Sequence, residues 1–262
     1  MLTALLHRKL GRVTARRHHG AETPETAAPS GEGEEGPESG GSGEGITNLE
    51  DPLTSSIFER IAYLDPSTAW QLLRDACRTL HGSPLPAGAP EGEPVWTFWP
   101  KLGVGDDGRN ARYVEPDVLV TWGEVVLLIE AKHRTAQDAG QWVEQIRAVR
   151  ANVALDGKQL CFVAVGGTNQ GAISECAEGV LGVLGDRTPS LVALRWEGLR
   201  GAVVQRRRHA STVSDRAILA DLEDALEAWG YRRRFGFDSL PGIAALFSVR
   251  TVAGEMRGWR IR

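Results

Sequence analysis

The stretch Val125-Val126-Leu127-Leu128-Ile129-Glu130-Ala131-Lys132 constrains this chain more than any other, because an apolar run closes on a carboxylate and an ammonium two residues apart. Aliphatic and β-branched residues in such a run favour a buried strand, here expected over Val125 to Arg134. Side chains alternate along a strand, so Glu130 and Lys132 emerge on one face while Leu127, Ile129 and Ala131 enter the other. The tight turn Trp122-Gly123-Glu124 folds the preceding strand back and brings Asp117, of Glu115-Pro116-Asp117, near the level of Glu130. Two carboxylates and one ammonium then converge at the end of otherwise apolar strands.

Charges in such a place are costly to leave unpaired, and two close carboxylates raise each other's pKa unless a cation is present. Carboxylate oxygens suit Mg²⁺ or Mn²⁺, which keep waters that a substrate phosphate can replace. Such an ion lowers the pKa of a bound water and stabilises charge on phosphoryl oxygens, and Lys132 beside it would orient the attacking water or steady the pentavalent phosphorus. The chemistry suggested is phosphodiester hydrolysis.

The rest of the chain is organised around this hairpin. Residues 1–19 carry five basic side chains from Arg8 to Arg17 and three histidines, and residues 20–45 hold seven glutamates among Gly, Ser, Pro and Thr. The first segment reads as a basic tail and the second as a disordered acidic linker with nothing to bury, so a single folded domain with a C-terminal extension is expected over 46–262, starting near Ile46. Leu53, Ile57, Ile61 and Leu64 recur at helical spacing, Asp65-Pro66-Ser67 recaps the chain, and a second helix is expected to about Leu80. Gly82 to Pro94 reads as an exposed loop. Strands are expected over Val95 to Leu102 and Arg112 to Thr121, before the one already described. A helix from about Gln137 to Leu155 follows, with the stripe Trp142, Ile146, Val149 and Val153. Then come a buried strand Leu160 to Val165, a helix Ile173 to Leu184, a strand Leu191 to Arg195 continuing as a hairpin to Val204, and a helix through Ile218, Leu222 and Trp229 closed by Gly230. The expected class is α/β, a mixed central sheet flanked by helices.

Pro116-Asp117, a spacer of twelve residues and Glu130-Ala131-Lys132 resemble the signature of the PD-(D/E)XK nuclease superfamily of restriction and repair enzymes, and the element order over roughly 46 to 205 is similar to its restriction-endonuclease-like αβββαβ core. The resemblance implies metal ligation by Asp117, Glu130 and the Ala131 carbonyl, with Lys132 as the catalytic lysine. It also implies a glutamate on the first helix, for which Glu50 and Glu59 both stand, Glu50 preferred because Leu53-Thr54 follows it. A glutamine on the helix after the lysine strand is a further family feature, and Gln141 and Gln145 sit one turn apart there. His133 points to the opposite strand face from Lys132 and reads as structural.

A net charge of −4 and a pI of 5.9 argue against a dedicated nucleic-acid coat protein but not against a local groove. The runs Arg206-Arg207-Arg208 and Arg232-Arg233-Arg234 are the candidate contacts to a phosphate backbone. Cys77, Cys161 and Cys176 form no C-x-x-C pair and read as reduced, mostly buried thiols of a cytoplasmic protein, and no stretch is long and apolar enough to span a membrane. The resulting expectation is a Mg²⁺- or Mn²⁺-dependent DNA endonuclease acting in defence against foreign DNA or in repair, alone, as a homodimer or with a defence-system subunit. A catalytically silent nucleic-acid-binding or scaffold subunit and an RNA-directed nuclease are the alternatives, because one scaffold hosts many substrates.

Overall fold

The computed structural model describes residues 50–103, 113–167 and 169–231. The expected basic tail, acidic linker and domain start at Ile46 lie outside the described residues, as do Arg112 and the run Arg232-Arg233-Arg234. Two helices open the described chain, α1 (Glu50–Ala62) and α2 (Pro66–Ala76), and Asp65 caps the second by accepting from the amides of Ser67 and Thr68. Strands β1 (Cys77–His81), β2 (Val95–Phe98), β3 (Leu102–Gly103), β4 (Tyr113–Val114), β5 (Val118–Trp122) and β6 (Val125–Lys132) follow. After them come α3 (Ala139–Ala151), β7 (Gln159–Gly166), α4 (Gln170–Leu184), β8 (Ser190–Leu194), α5 (Trp196–His209) and α6 (Val213–Ala228).

Six strands form one mixed sheet in the order β1-β8-β7-β6-β5-β2, and β3 and β4 pair separately. β6, β7 and β8 run parallel to one another, which requires the crossover helices α3 and α4, whereas β5 and β6 form a hairpin. Two successive crossovers of one hand in one direction put their helices on one face. Accordingly Val126 and Leu128 of β6 pack with Trp142, Ile146, Ile173 and Val180 of α3 and α4. The odd-numbered partners Leu127, Ile129 and Ala131 join the other core, under Ile57, Phe58, Leu73, Leu199 and Leu222 of α1, α2, α5 and α6. The hairpin turn is two residues long, and Gly123 has φ +53 at its first position with the Glu91 carbonyl 2.8 Å from where a Cβ would stand. Both facts restrict the position to glycine.

Several expectations are corrected. α2 ends at Ala76, and Cys77–His81 is an antiparallel edge strand beside β8, not the last turn of a helix. The region 196–209 is helical, not the second arm of a hairpin, because Leu199 and Val203 one turn apart bury against α6. α3 stops at Ala151, where Asn152 turns the chain into a short 3₁₀ turn, so Val153 leaves the apolar stripe and is 88% exposed. The first expected strand also breaks at Trp99, which has φ +48. The three cysteines are free, and burial pushes the Cys161 thiol up to about 12. No helix among the described residues is long and apolar enough to cross a membrane.

Candidate active site

The site lies where β6 ends, between the start of β5 and the end of β7. Val118 pairs with Ile129, so Asp117, one residue before β5, stands level with the end of β6, and its Oδ2 accepts the Ala131 amide at 2.7 Å. Glu130 is buried to 2% exposure. Lys132, two residues on and on the same face, places Nζ 2.7 Å from Glu130 Oε1. The alternation read from the sequence therefore holds in three dimensions.

α3 supplies the opposing wall. Its N-cap, Asp138, accepts from the Gln141 amide, and this start point presents two successive turns to β6. Gln141 Nε2 donates to Glu130 Oε1 at 2.8 Å and Gln145 Nε2 donates to Glu130 Oε2 at 2.6 Å. The buried Gln145 Oε1 has no hydrogen-bond partner.

The first helix reaches the site from the other side of the sheet. Glu50, the first residue of α1, accepts the His133 amide at 3.1 Å and the Thr135 hydroxyl through Oε1, and its Oε2 lies 3.7 Å from Lys132 Nζ. Glu59 is nine residues further along α1, about 14 Å at the helical rise, and accepts from Ser55 Oγ. Of the two candidate glutamates the structure brings only Glu50 to the site. His133 faces away, as expected: its Nδ1 lies 2.6 Å from the Tyr231 hydroxyl and its ring packs edge-on to Trp229 and Tyr231.

Three supports went unnoticed in the sequence. Gln137, buried, donates to the Val165 carbonyl at 2.9 Å and to the Glu130 carbonyl at 3.5 Å, and accepts from Trp142 Nε1 at 3.0 Å. It ties the ends of β6 and β7 to the start of α3. Trp196 Nε1 donates to the Lys132 carbonyl at 2.9 Å. Gly166, paired with Lys132, has φ +69, and a Cβ there would stand 2.0 Å from the Lys132 carbonyl oxygen. Only the glycine carried a sequence signal, as the first of the Gly166-Gly167 pair that ends the β7 run.

Electrostatically the site is short of positive charge. Burial, and then the Glu130 carboxylate, hold Asp117 well above the usual carboxylate range, against the smaller pull of the Ala131 amide and Lys132. Burial draws Lys132 down, but Glu130, Asp117 and Glu50 together outweigh it and raise the ammonium above its ordinary value. Burial and Arg134 lower His133.

Of the expected phosphate-contacting arginines, the three described, Arg206 to Arg208, lie on the last turn of α5. Arg206, ten residues along α5 from Trp196, about 15 Å by helical rise, pairs with Asp75 and Gln71. Arg207 pairs with Glu223, and Arg208 is exposed on the same last turn. Comparison of the chain with protein-family models, curated proteins and solved structures returns no match.

Proposed function

We propose that the protein is a divalent-metal-dependent nuclease of the restriction-endonuclease-like kind, hydrolysing DNA phosphodiester bonds through Asp117, Glu130 and Lys132. The observation that carries the reading is the meeting of these three side chains at one sheet end, with Gln141 and Gln145 of α3 and Glu50 of α1 closed around them. The order of α1, the β5–β6 hairpin, α3 and β7 supports it as well.

The candidate donors are of the oxygen kind that a hard divalent cation takes. Among the described residues no three His, Cys, Asp or Glu side chains stand together at metal-binding spacing. Mg²⁺ is commonly held by one or two carboxylates and completed by waters and substrate phosphate. Asp117 and Glu130, with the Ala131 carbonyl, would hold it, and the charge it brings would offset the burial and the Glu130 repulsion that together raise Asp117. When bound, the ion supplies Lewis-acid activation of water and charge stabilisation on the phosphoryl group.

The chain's own residues do the rest. Gln141 and Gln145 fix the rotamer of Glu130, so the carboxylate is oriented before substrate arrives. Lys132 brings an ammonium, held positive by its acidic neighbours, to the charge that develops on the phosphoryl oxygens. Glu50 holds the His133 amide and the Thr135 hydroxyl, and with them the position of Lys132.

The test is cleavage of plasmid DNA, linear DNA and RNA with Mg²⁺ or Mn²⁺ by the wild type, Asp117→Ala and Lys132→Ala. The lysine variant is expected to lose on the order of 10² to 10³ in rate while still binding DNA, and Lys132→Arg to rescue poorly because a planar fork replaces a compact ammonium. A wild type that cuts nothing spared by the variants sinks the proposal and leaves a nucleic-acid-binding module.

A further inference from the structure

We infer that Lys132 is a resident counterion: without a divalent cation its ammonium takes the cation's electrostatic place at Glu130, and metal binding moves it across to Glu50. This rests on the reading of Asp117 and Glu130 as metal ligands.

The Glu130 carboxylate is occupied on both oxygens, Oε1 by Lys132 Nζ at 2.7 Å and Gln141 Nε2 at 2.8 Å, Oε2 by Gln145 Nε2 at 2.6 Å. A buried carboxylate needs such partners, because an unpaired charge at 2% exposure is strongly disfavoured. A cation shared with Asp117 has to reach one of these oxygens. Lys132 is the donor that obstructs it most, since it alone among the three carries positive charge and repels the incoming ion.

It is also the donor with somewhere to go. The side chain is flexible and 17% exposed, and Glu50 Oε2 stands 3.7 Å from its Nζ. Glu50 is itself anchored through Oε1 by the His133 amide and the Thr135 hydroxyl, which leaves Oε2 facing the lysine. A receiving carboxylate is thus built in, one short swing from the first.

Lys132 therefore trades metal affinity for readiness. Neutralising it is expected to tighten divalent binding while cleavage is lost, the reverse of what removing a side chain that supports the metal would do. The experiment is a Mn²⁺ titration of the full chain, stripped with chelator and dialysed, with free Mn²⁺ read by electron paramagnetic resonance. Wild type, Lys132→Met, Lys132→Gln and Lys132→Arg are compared, and melting curves with and without Mn²⁺ check the fold. Lys132→Gln keeps a hydrogen-bond donor for Glu130 and stands in if the methionine variant does not fold. Both neutral variants should bind Mn²⁺ about ten-fold tighter, the size expected for removing one positive charge about 6 Å from a divalent ion in an aqueous dielectric. Lys132→Arg should stay near wild type. Equal or weaker affinity in the folded neutral variants overturns the counterion while leaving the nuclease reading intact. Absence of Mn²⁺ binding in every form, wild type included, overturns the metal-ligand reading and the counterion with it.

Discussion

Two charged clusters among the described residues are built on opposite rules. Along the α5 seam, Arg200 meets Glu223 and Glu227, Arg207 meets Glu223, and Arg206 meets Asp75, so each arginine has an acidic partner. At the end of β6, Glu50, Asp117 and Glu130 share the single ammonium of Lys132. The seam is neutralised by its own chain and ties α5 to both α6 and α2. The β6 end keeps a surplus of negative charge in a partly dry place, which costs stability and is retained where a ligand needs it. Arg206 and Arg207, read from sequence as nucleic-acid contacts, are engaged in these pairs.

The largest expected effect sharpens the contrast at its centre. Glu130→Gln keeps the shape of the side chain but removes its charge, and should lower metal-dependent cleavage by on the order of 10² to 10³, whereas the same assay on Arg206→Ala should read close to wild type. Gly166→Ala attacks the support of the site. A methyl driven against the Lys132 carbonyl and Trp196 at a positive φ is expected to cost about 3 kcal/mol, seen as a lower midpoint in urea. Arg200→Ala tests the seam: with its side chain 9% exposed, it leaves Glu223 and Glu227 facing a gap and should cost about 2 kcal/mol without changing the metal requirement of cleavage.

A smaller effect is pH-linked. Asp117 titrates above the usual carboxylate range in the folded chain, so the folded state holds this proton more tightly than the unfolded one. The associated stability is complete below the ordinary carboxylate value and lost as pH rises through the raised one. Metal-free wild type should therefore lose melting temperature over that interval relative to Asp117→Asn, and a parallel pair of pH profiles would remove the argument for uncompensated charge. Least of all, Arg206→Ala on the half-exposed rim of the seam should change stability by no more than about 1 kcal/mol.

The local devices of the site were legible because each rests on a short period. Alternation along β6 fixed the shared face of Glu130 and Lys132, a two-residue turn set Asp117 opposite them, and a spacing of four put Gln141 and Gln145 on one side of α3. What stayed hidden depends on distant partners. Gln137 looks like any polar residue before a helix until β7 supplies the Val165 carbonyl, and Trp196 like a core residue until Lys132 is beside it. The same holds for the fold. Cys77–His81 continues the helical pattern of α2 and becomes a strand only because β8 offers it an edge. Gly198, Gly201 and the Val203-Val204 pair suggest a hairpin, yet burial of Leu199 and Val203 against α6 decides for a helix.

The indole of Trp196 on the Lys132 carbonyl also has a consequence during synthesis. A ribosome delivers Glu50, Asp117, Glu130 and Lys132 well before β7, Gly166 and Trp196 leave the exit tunnel. Until they do, the tip of β6 lacks the neighbouring strand that pairs with it and the donor that fixes its last carbonyl. The charged residues are made before the parts that close the site, so a product truncated after Lys132 would carry all four of them and still present no finished centre.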